Sequence, residues 1–255
     1  MKLNSPAKRL GFVLLIVAFV AFIVISLDRK ANENTAPLRI TITDYETKKF
    51  IKKEEIQKQL NDTFPATLNG VTIGSIDIKR IENILQKNEF VEEAEVYIDA
   101  TNHVNIKLSQ RTPIVRIVDM EGSNYYIDDK GRYMATSRHF TARVPVASGF
   151  ITNRSYNIPI EDIRNPLNSL FILVKYVQAD EFLNAQIEQI YVEKGGDFTL
   201  VPKVGTAKII LGDATDLPEK FKRLKIFYRE ASAYTGFSKY KSINIKFKDQ
   251  VVCSK

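Results

Sequence analysis

The residues that could do chemistry in this chain are few and scattered. It has two histidines, His103 and His139, and one cysteine, Cys253. A structural or catalytic zinc site needs three or four His, Cys or carboxylate ligands at short, regular spacings, and neither histidine has such a partner nearby. His103 falls at an expected hairpin tip, where a solvated imidazole is the simpler reading. Asp128 and Asp129 are adjacent acids, but paired-carboxylate catalysis needs two carboxyls converging across a cleft. Adjacency reads instead as a turn, because Asp side chains accept from the turn's own amides. Gly195-Gly196-Asp197 reads as a hairpin turn and not as a phosphate cradle, which a helix would have to follow. Tyr125-Tyr126 reads as part of a strand with one ring buried and one exposed. Lys220, Lys222, Arg223 and Lys225 fall on one expected helix and read as its solvated face. No P-loop, G-x-S-x-G, H-E-x-x-H or C-x-x-C pattern occurs. The chain therefore reads as a non-enzyme without catalytic, cofactor-binding or metal-binding residues, and its work is expected to be done by binding surfaces.

The elements that would carry those surfaces follow from periodicity. Leu10 to Leu27 is a run of eighteen residues without a formal charge. As a helix it would span roughly 27 Å, close to the hydrocarbon thickness of a bilayer. A cleaved signal peptide would have a shorter apolar region ending in a small-x-small site, so an uncleaved signal-anchor is the preferred reading. Lys2, Lys8 and Arg9 then favour a cytoplasmic N-terminus, although Arg29 and Lys30 weaken the asymmetry. The net charge of +7 divides unevenly, with five basic residues and one acidic among residues 1–30, leaving 32 basic and 29 acidic beyond. A remainder of +3 gives no reason to expect nucleic acid or a small-molecule substrate. With one cysteine, no intrachain disulfide can form.

Past a polar stretch at 28–37, Leu38, Ile40 and Ile42 alternate with polar residues as in a half-buried strand. Lys52 to Phe64 predicts an amphipathic helix with Ile56 and Leu60 on its apolar face, ended by Pro65 and Gly70. Asp77 is placed to cap a helix carrying Ile78, Ile81, Ile84 and Leu85. Ala94, Val96, Ile98 and then Val104, Ile106, Leu108 alternate on either side of Thr101-Asn102, which predicts an antiparallel hairpin. Two helices covering one face of this small sheet make an α+β layer. Further on, helices are expected at 166–177 and 217–233, the latter capped by Asp216. Strands are expected around Ile187–Val192, Phe198–Leu200, Lys208–Leu211 and Ser242–Phe247, the last taken as the final strand.

The stretch IENILQKNEFVEEAEVYIDATNHVNIKLSQRTPIVRI, following β-α-α-β-β order after an anchor, resembles the FtsQ/DivIB family of bacterial division proteins and their POTRA domain. Phe90, Val91, Ala94 and Val96, then Gln110, Arg111 and Pro113, occupy the matching positions. Gln110 stands where the family usually has Glu, which reads as a minor departure. YYIDDKGRYM and RVPVASGF resemble two later family segments.

The resemblance implies a tail at 1–9, a transmembrane helix at 10–27, a linker at 28–37 and a POTRA domain at 38–112. A mixed α/β domain with a largely antiparallel sheet would follow at 113–250, then a tail at 251–255. It further implies a bitopic scaffold in the inner membrane, with a periplasmic ectodomain at the division septum. Its partners would resemble the small bitopic proteins FtsB and FtsL, binding by strand addition at the last strand. The matching residues here are Ser242, Asn244, Lys246, Phe247 and Lys248. The alternative is a POTRA-bearing envelope assembly or secretion factor that binds client strands along the POTRA edge.

Overall fold

A computed structural model of the chain describes residues 6–64, 68–151, 166–235 and 239–255. The expected helix stop at Pro65 lies outside them. The described residues form two compact units, Met1–Gln110 and Arg111–Lys255.

The first unit begins with helix α1, Pro6–Ala31, whose large apolar side chains from Leu10 to Leu27 are exposed all round. A helix apolar on every face has no protein core to meet and is suited to lipid. Its 22-residue stretch Leu10–Ala31 is long and apolar enough to cross a bilayer. Strand β1 (Ala36–Ile42), helices α2 (Lys53–Thr63) and α3 (Ile78–Gln86), and strands β2 (Val91–Ile98) and β3 (His103–Gln110) complete the unit. The sheet order is β1-β3-β2, with β1 parallel and β2 antiparallel to the central β3. Asp77 caps α3 through its carboxylate, which accepts from the Arg80 amide at 3.0 Å. Ile56, Leu60, Ile81 and Leu85 from the helices bury against Val96, Val104, Ile106 and Leu108. This is the α+β layer that the alternating runs require.

Gln110 is more than a neutral replacement. Its buried side-chain oxygen accepts from the amides of Phe50 (3.1 Å) and Ile51 (3.2 Å), while its nitrogen donates to the Lys48 carbonyl at 2.7 Å. A carboxylate could accept but not donate, and would face that carbonyl with a second negative oxygen. Gln110→Glu is therefore expected to cost about 1–3 kcal/mol at neutral pH. The introduced acid would have a raised folded pKa, so the penalty should shrink as pH falls through that raised value and be gone below the unfolded value of about 4. Faster hydrogen exchange at the Phe50 and Ile51 amides at pH 7, but not in acid relative to the parent, would register both effects.

The second unit is a nine-stranded, mixed but largely antiparallel sheet with its helices on one face. It comprises β4 (Pro113–Val118), β5 (Asn124–Asp128), β6 (Tyr133–Met134), β7 (Val146–Gly149), α4 (Pro166–Gln178), α5 (Glu181–Gln186) and β8 (Ile187–Val192). Then come β9 (Phe198–Pro202), β10 (Lys208–Gly212), α6 (Leu217–Thr235), β11 (Ser242–Asn244) and β12 (Val252–Ser254). The order across the sheet is β12-β11-β10-β9-β8-β7-β4-β5-β6. Parallel neighbours β7/β8 and β10/β11 cannot be joined by a hairpin, and α4–α5 and α6 supply the two crossovers. Inward residues such as Ile190, Leu200, Ile209 and Ile243 meet Leu170, Val174, Phe221 and Leu224 in one core. Gly149 has φ +99°, and a Cβ there would lie 2.3 Å from the Val192 carbonyl oxygen, so only glycine fits.

Three sequence expectations change. Tyr125 and Tyr126 are both buried. The segment following β6 covers the second face beside Tyr126, whose hydroxyl accepts from the Ala142 amide at 3.2 Å. Asp216 enters α6 with φ +49°, not the extended geometry usual for a cap, and its carbonyl accepts from the Lys220 amide. Residues 251–255 are not a bare tail, because they contain β12.

Candidate functional site

Three of the four basic residues expected on a solvated face of α6 have defined partners, and Arg223 ties down Ser242 to Lys248. On α6, Lys220 is buried and donates to the Asp213 carboxylate (2.7 Å) and carbonyl (2.9 Å). Hydrogen bonds from Lys220 and then from Thr215 hold the Asp213 carboxyl down at about 2. Arg223 Nη2 donates to the carbonyls of Ile245 (2.9 Å) and Phe247 (3.1 Å), fixing the path of the chain as it leaves the sheet. Lys225 pairs with Asp180, the cap of α5. Of the four, Lys222 alone is fully exposed. Helical spacing places these cations on one helix, but the partners of Arg223 and Lys225 are remote in sequence, and that of Lys220 lies in the turn before the helix.

Each expected binding residue has a defined place. Ser242 and Asn244 lie in β11, and the Ser242 and Ser254 hydroxyls are 2.7 Å apart. The Asn244 side chain accepts from the Lys246 amide at 3.0 Å, turning the chain out of the sheet. Lys246 pairs with Asp197 at 2.6 Å and packs over Gly212, where a Cβ would lie 2.7 Å from Lys246 Cγ. Phe247 does not continue the alternation of Ile243 and Ile245. Those two are buried, whereas Phe247 is 47% exposed and Lys248 is exposed too. The last sheet bond of this segment runs from the Ile245 amide to the Ile210 carbonyl.

Strand β11 is therefore not the edge. The Lys241 carbonyl accepts from Lys208 and the Ile245 amide donates to Ile210, so Ile243 between them faces β10, while the Lys241 amide, at the entry to the strand, donates to the Ser254 carbonyl of β12. Ser242 and Asn244 then face β12, opposite Ser254 and Val252. In an antiparallel ladder, successive residues turn their backbone groups to opposite sides. The N–H and C=O of Cys253 are consequently directed outward, at the end of the nine-stranded sheet. Val252 beside them is 46% exposed. This edge is what sequence reading missed, since three residues near the end of the chain carry no period to detect.

Elsewhere the chemistry stays structural. Asp128 is buried, accepts from the Lys130 and Arg132 amides (3.0 and 2.7 Å), and pairs with Arg111 (2.8 Å) and Arg132 (2.7 Å). Asp129 is exposed, so the two acids do not converge. Gly196, with φ +86°, makes the β8–β9 turn. His103 lies near Thr101, with Nδ1 and Oγ1 2.9 Å apart. A cleft of ≈ 550 Å³ on the open face of the sheet is lined by Gln189, Tyr191, Thr199, Ile210 and Lys241 among others. Among the described residues no group of three His, Cys, Asp or Glu could hold a metal ion.

Both units are matched among known proteins. Residues 112–254 match the FtsQ/DivIB C-terminal-related family, and residues 35–109 match the POTRA-like domain. The chain is also 26% identical over 226 residues to the cell division protein FtsQ of Geobacter sp. (strain M21), covering 87% of this chain and 77% of that relative. The first match alone spans more than half of the 255 residues, and the chain belongs to the FtsQ/DivIB family.

Proposed function

We propose that this chain is a non-enzymatic, membrane-anchored scaffold of the bacterial division machinery that captures partner segments by strand addition at β12. The supporting observation is the outward Cys253 backbone at the end of a large, well-packed sheet. An added strand gains main-chain hydrogen bonds there, and exposed Val252 and Phe247 supply side-chain contacts. The five residues Ser242, Asn244, Lys246, Phe247 and Lys248 form the supporting strand and turn in this reading, with Phe247 and Lys248 nearest to a contact role. Small bitopic division proteins resembling FtsB and FtsL are the expected partners. The relative's name, a cell division protein, and the family membership support the division role. The apolar α1, with Lys8 and Arg9 before its run, supports a single-pass protein of the inner membrane, N-terminus in the cytoplasm and ectodomain in the periplasm.

The rival, client-strand capture along the POTRA-like sheet, meets a physical obstacle. Both of that sheet's edges are partly blocked by the chain's own side chains. The Leu38 amide of β1 donates to Asn69 at 2.8 Å, and the Val96 amide of β2 donates to Glu82 at 3.0 Å. Edge amides satisfied in this way are unavailable to an added strand. Depletion of the protein should produce filamentous cells, and a fluorescent fusion should concentrate at midcell. Normal division on depletion would refute the division role.

A further inference from the structure

The passage from α1 into the first unit is tied by a ring of hydrogen bonds. An ammonium has three donors, and Lys30 Nζ meets three acceptors, the Glu33 carboxylate (3.1 Å), the Ala100 carbonyl (3.2 Å) and the Asn102 side-chain oxygen. Asn102 completes the ring by donating to Glu33 at 2.9 Å, and its carbonyl accepts from the Ala36 amide at 2.8 Å. Hydrogen bonds from Asn102, then from Lys30, hold the Glu33 carboxyl below its ordinary range. On the other side, the Ile73 amide donates to the Glu33 carbonyl, and Asn34 bridges Thr72. The hairpin tip is itself cross-linked by hydrogen bonds, because Asp99 accepts from the Thr101 hydroxyl (2.7 Å), the Asn105 amide group (3.0 Å) and the His103 amide (3.0 Å).

This joint lies at a defined depth. The uncharged run stops at Leu27, so Lys30 sits about 4.5 Å further along the axis. The interfacial layer outside the hydrocarbon is roughly 5–7 Å thick on each side. A lysine at this position would ordinarily reach for lipid phosphates, but here its donors are committed to the protein. We propose that the Lys30–Glu33–Asn102 clamp seats the β2–β3 tip, Ala100–His103, in the phospholipid headgroup layer, making the membrane surface a partner of the first unit. This rests on α1 spanning the bilayer.

The test uses the full chain in vesicles doped with a nickel-chelating headgroup lipid, with a spin label at Thr101→Cys on a Cys253→Ser background. A label at Glu46→Cys, beyond the far end of β1 and about 20 Å or more from the tip, serves as reference. Nickel should relax the label at 101 several-fold more than the label at 46. Lys30→Met should bring the two together, as should Asn102→Gly, which keeps the left-handed φ of +66°. Equal relaxation with the clamp intact would overturn the proposal, as would an unchanged difference in both clamp variants. A separate label at Val20→Cys should be open to oxygen and shielded from aqueous nickel. Exposure to aqueous reagents there would instead refute the spanning reading, and the proposal with it.

Discussion

Replacing Asp128 with alanine is expected to lower the stability of the second unit by about 3–5 kcal/mol, the usual cost of removing one member of a buried ion pair. The loss leaves Arg111, itself buried, without its carboxylate and strips the Lys130 and Arg132 amides of their acceptor. For a unit of this size the melting temperature should fall by about 10 °C. Asp129→Ala, one residue away but exposed, should shift it by no more than about 0.5 kcal/mol. Acid should erase the difference. Burial works against ionisation of Asp128, but the Arg132 amide and guanidinium and the nearby Arg111 charge outweigh it, so its folded pKa is lowered. A lowered folded pKa gives stability that is present above the unfolded value near 4 and lost as pH falls through the folded one. Parent and Asp128→Ala should therefore converge in thermal melts carried out well below pH 4, while differing fully at pH 7.

At the opposite end of the sheet, Cys253→Pro is expected to weaken partner capture strongly without unfolding the chain. The amide it removes points outward, so the β11–β12 pairing through Val252 and Ser254 is left intact, and proline is tolerated where an edge N–H faces solvent. An added strand would lose one hydrogen bond and bury an unpaired carbonyl of its own. That amounts to about 2–4 kcal/mol, or roughly 30- to 1000-fold in Kd. Cys253→Ala keeps the backbone donor and should bind like the parent. If proline binds normally, or if alanine fails equally, the backbone edge is not the docking element.

The α+β class, the POTRA-like unit and its Asp77 cap were legible because apolar residues in those elements repeat with periods of two and of three to four. The last edge was not. Val252, Cys253 and Ser254 form a strand too short for any period, and alternation through Ile243 and Ile245 suggested that Phe247 continued it. The chain leaves the sheet there because Asn244 accepts from Lys246 and Arg223 ties down two carbonyls. The same limit applies to Lys220 and Lys225. Their charge and helical spacing are visible in sequence, but pairing with Asp213 and Asp180 is a product of the tertiary fold. One ring of the Tyr125-Tyr126 pair likewise reads as exposed, whereas both are buried and the segment after β6 reaches the Tyr126 hydroxyl.

The docking claim is tested most directly by placing a photo-crosslinking residue at Val252 and, in parallel, at Glu95 on the POTRA-like sheet, in dividing cells. An adduct is expected from position 252 with a small single-pass division protein, diminished by Cys253→Pro, and none from position 95. Adducts confined to position 95, or formed with outer-membrane assembly factors, would contradict it.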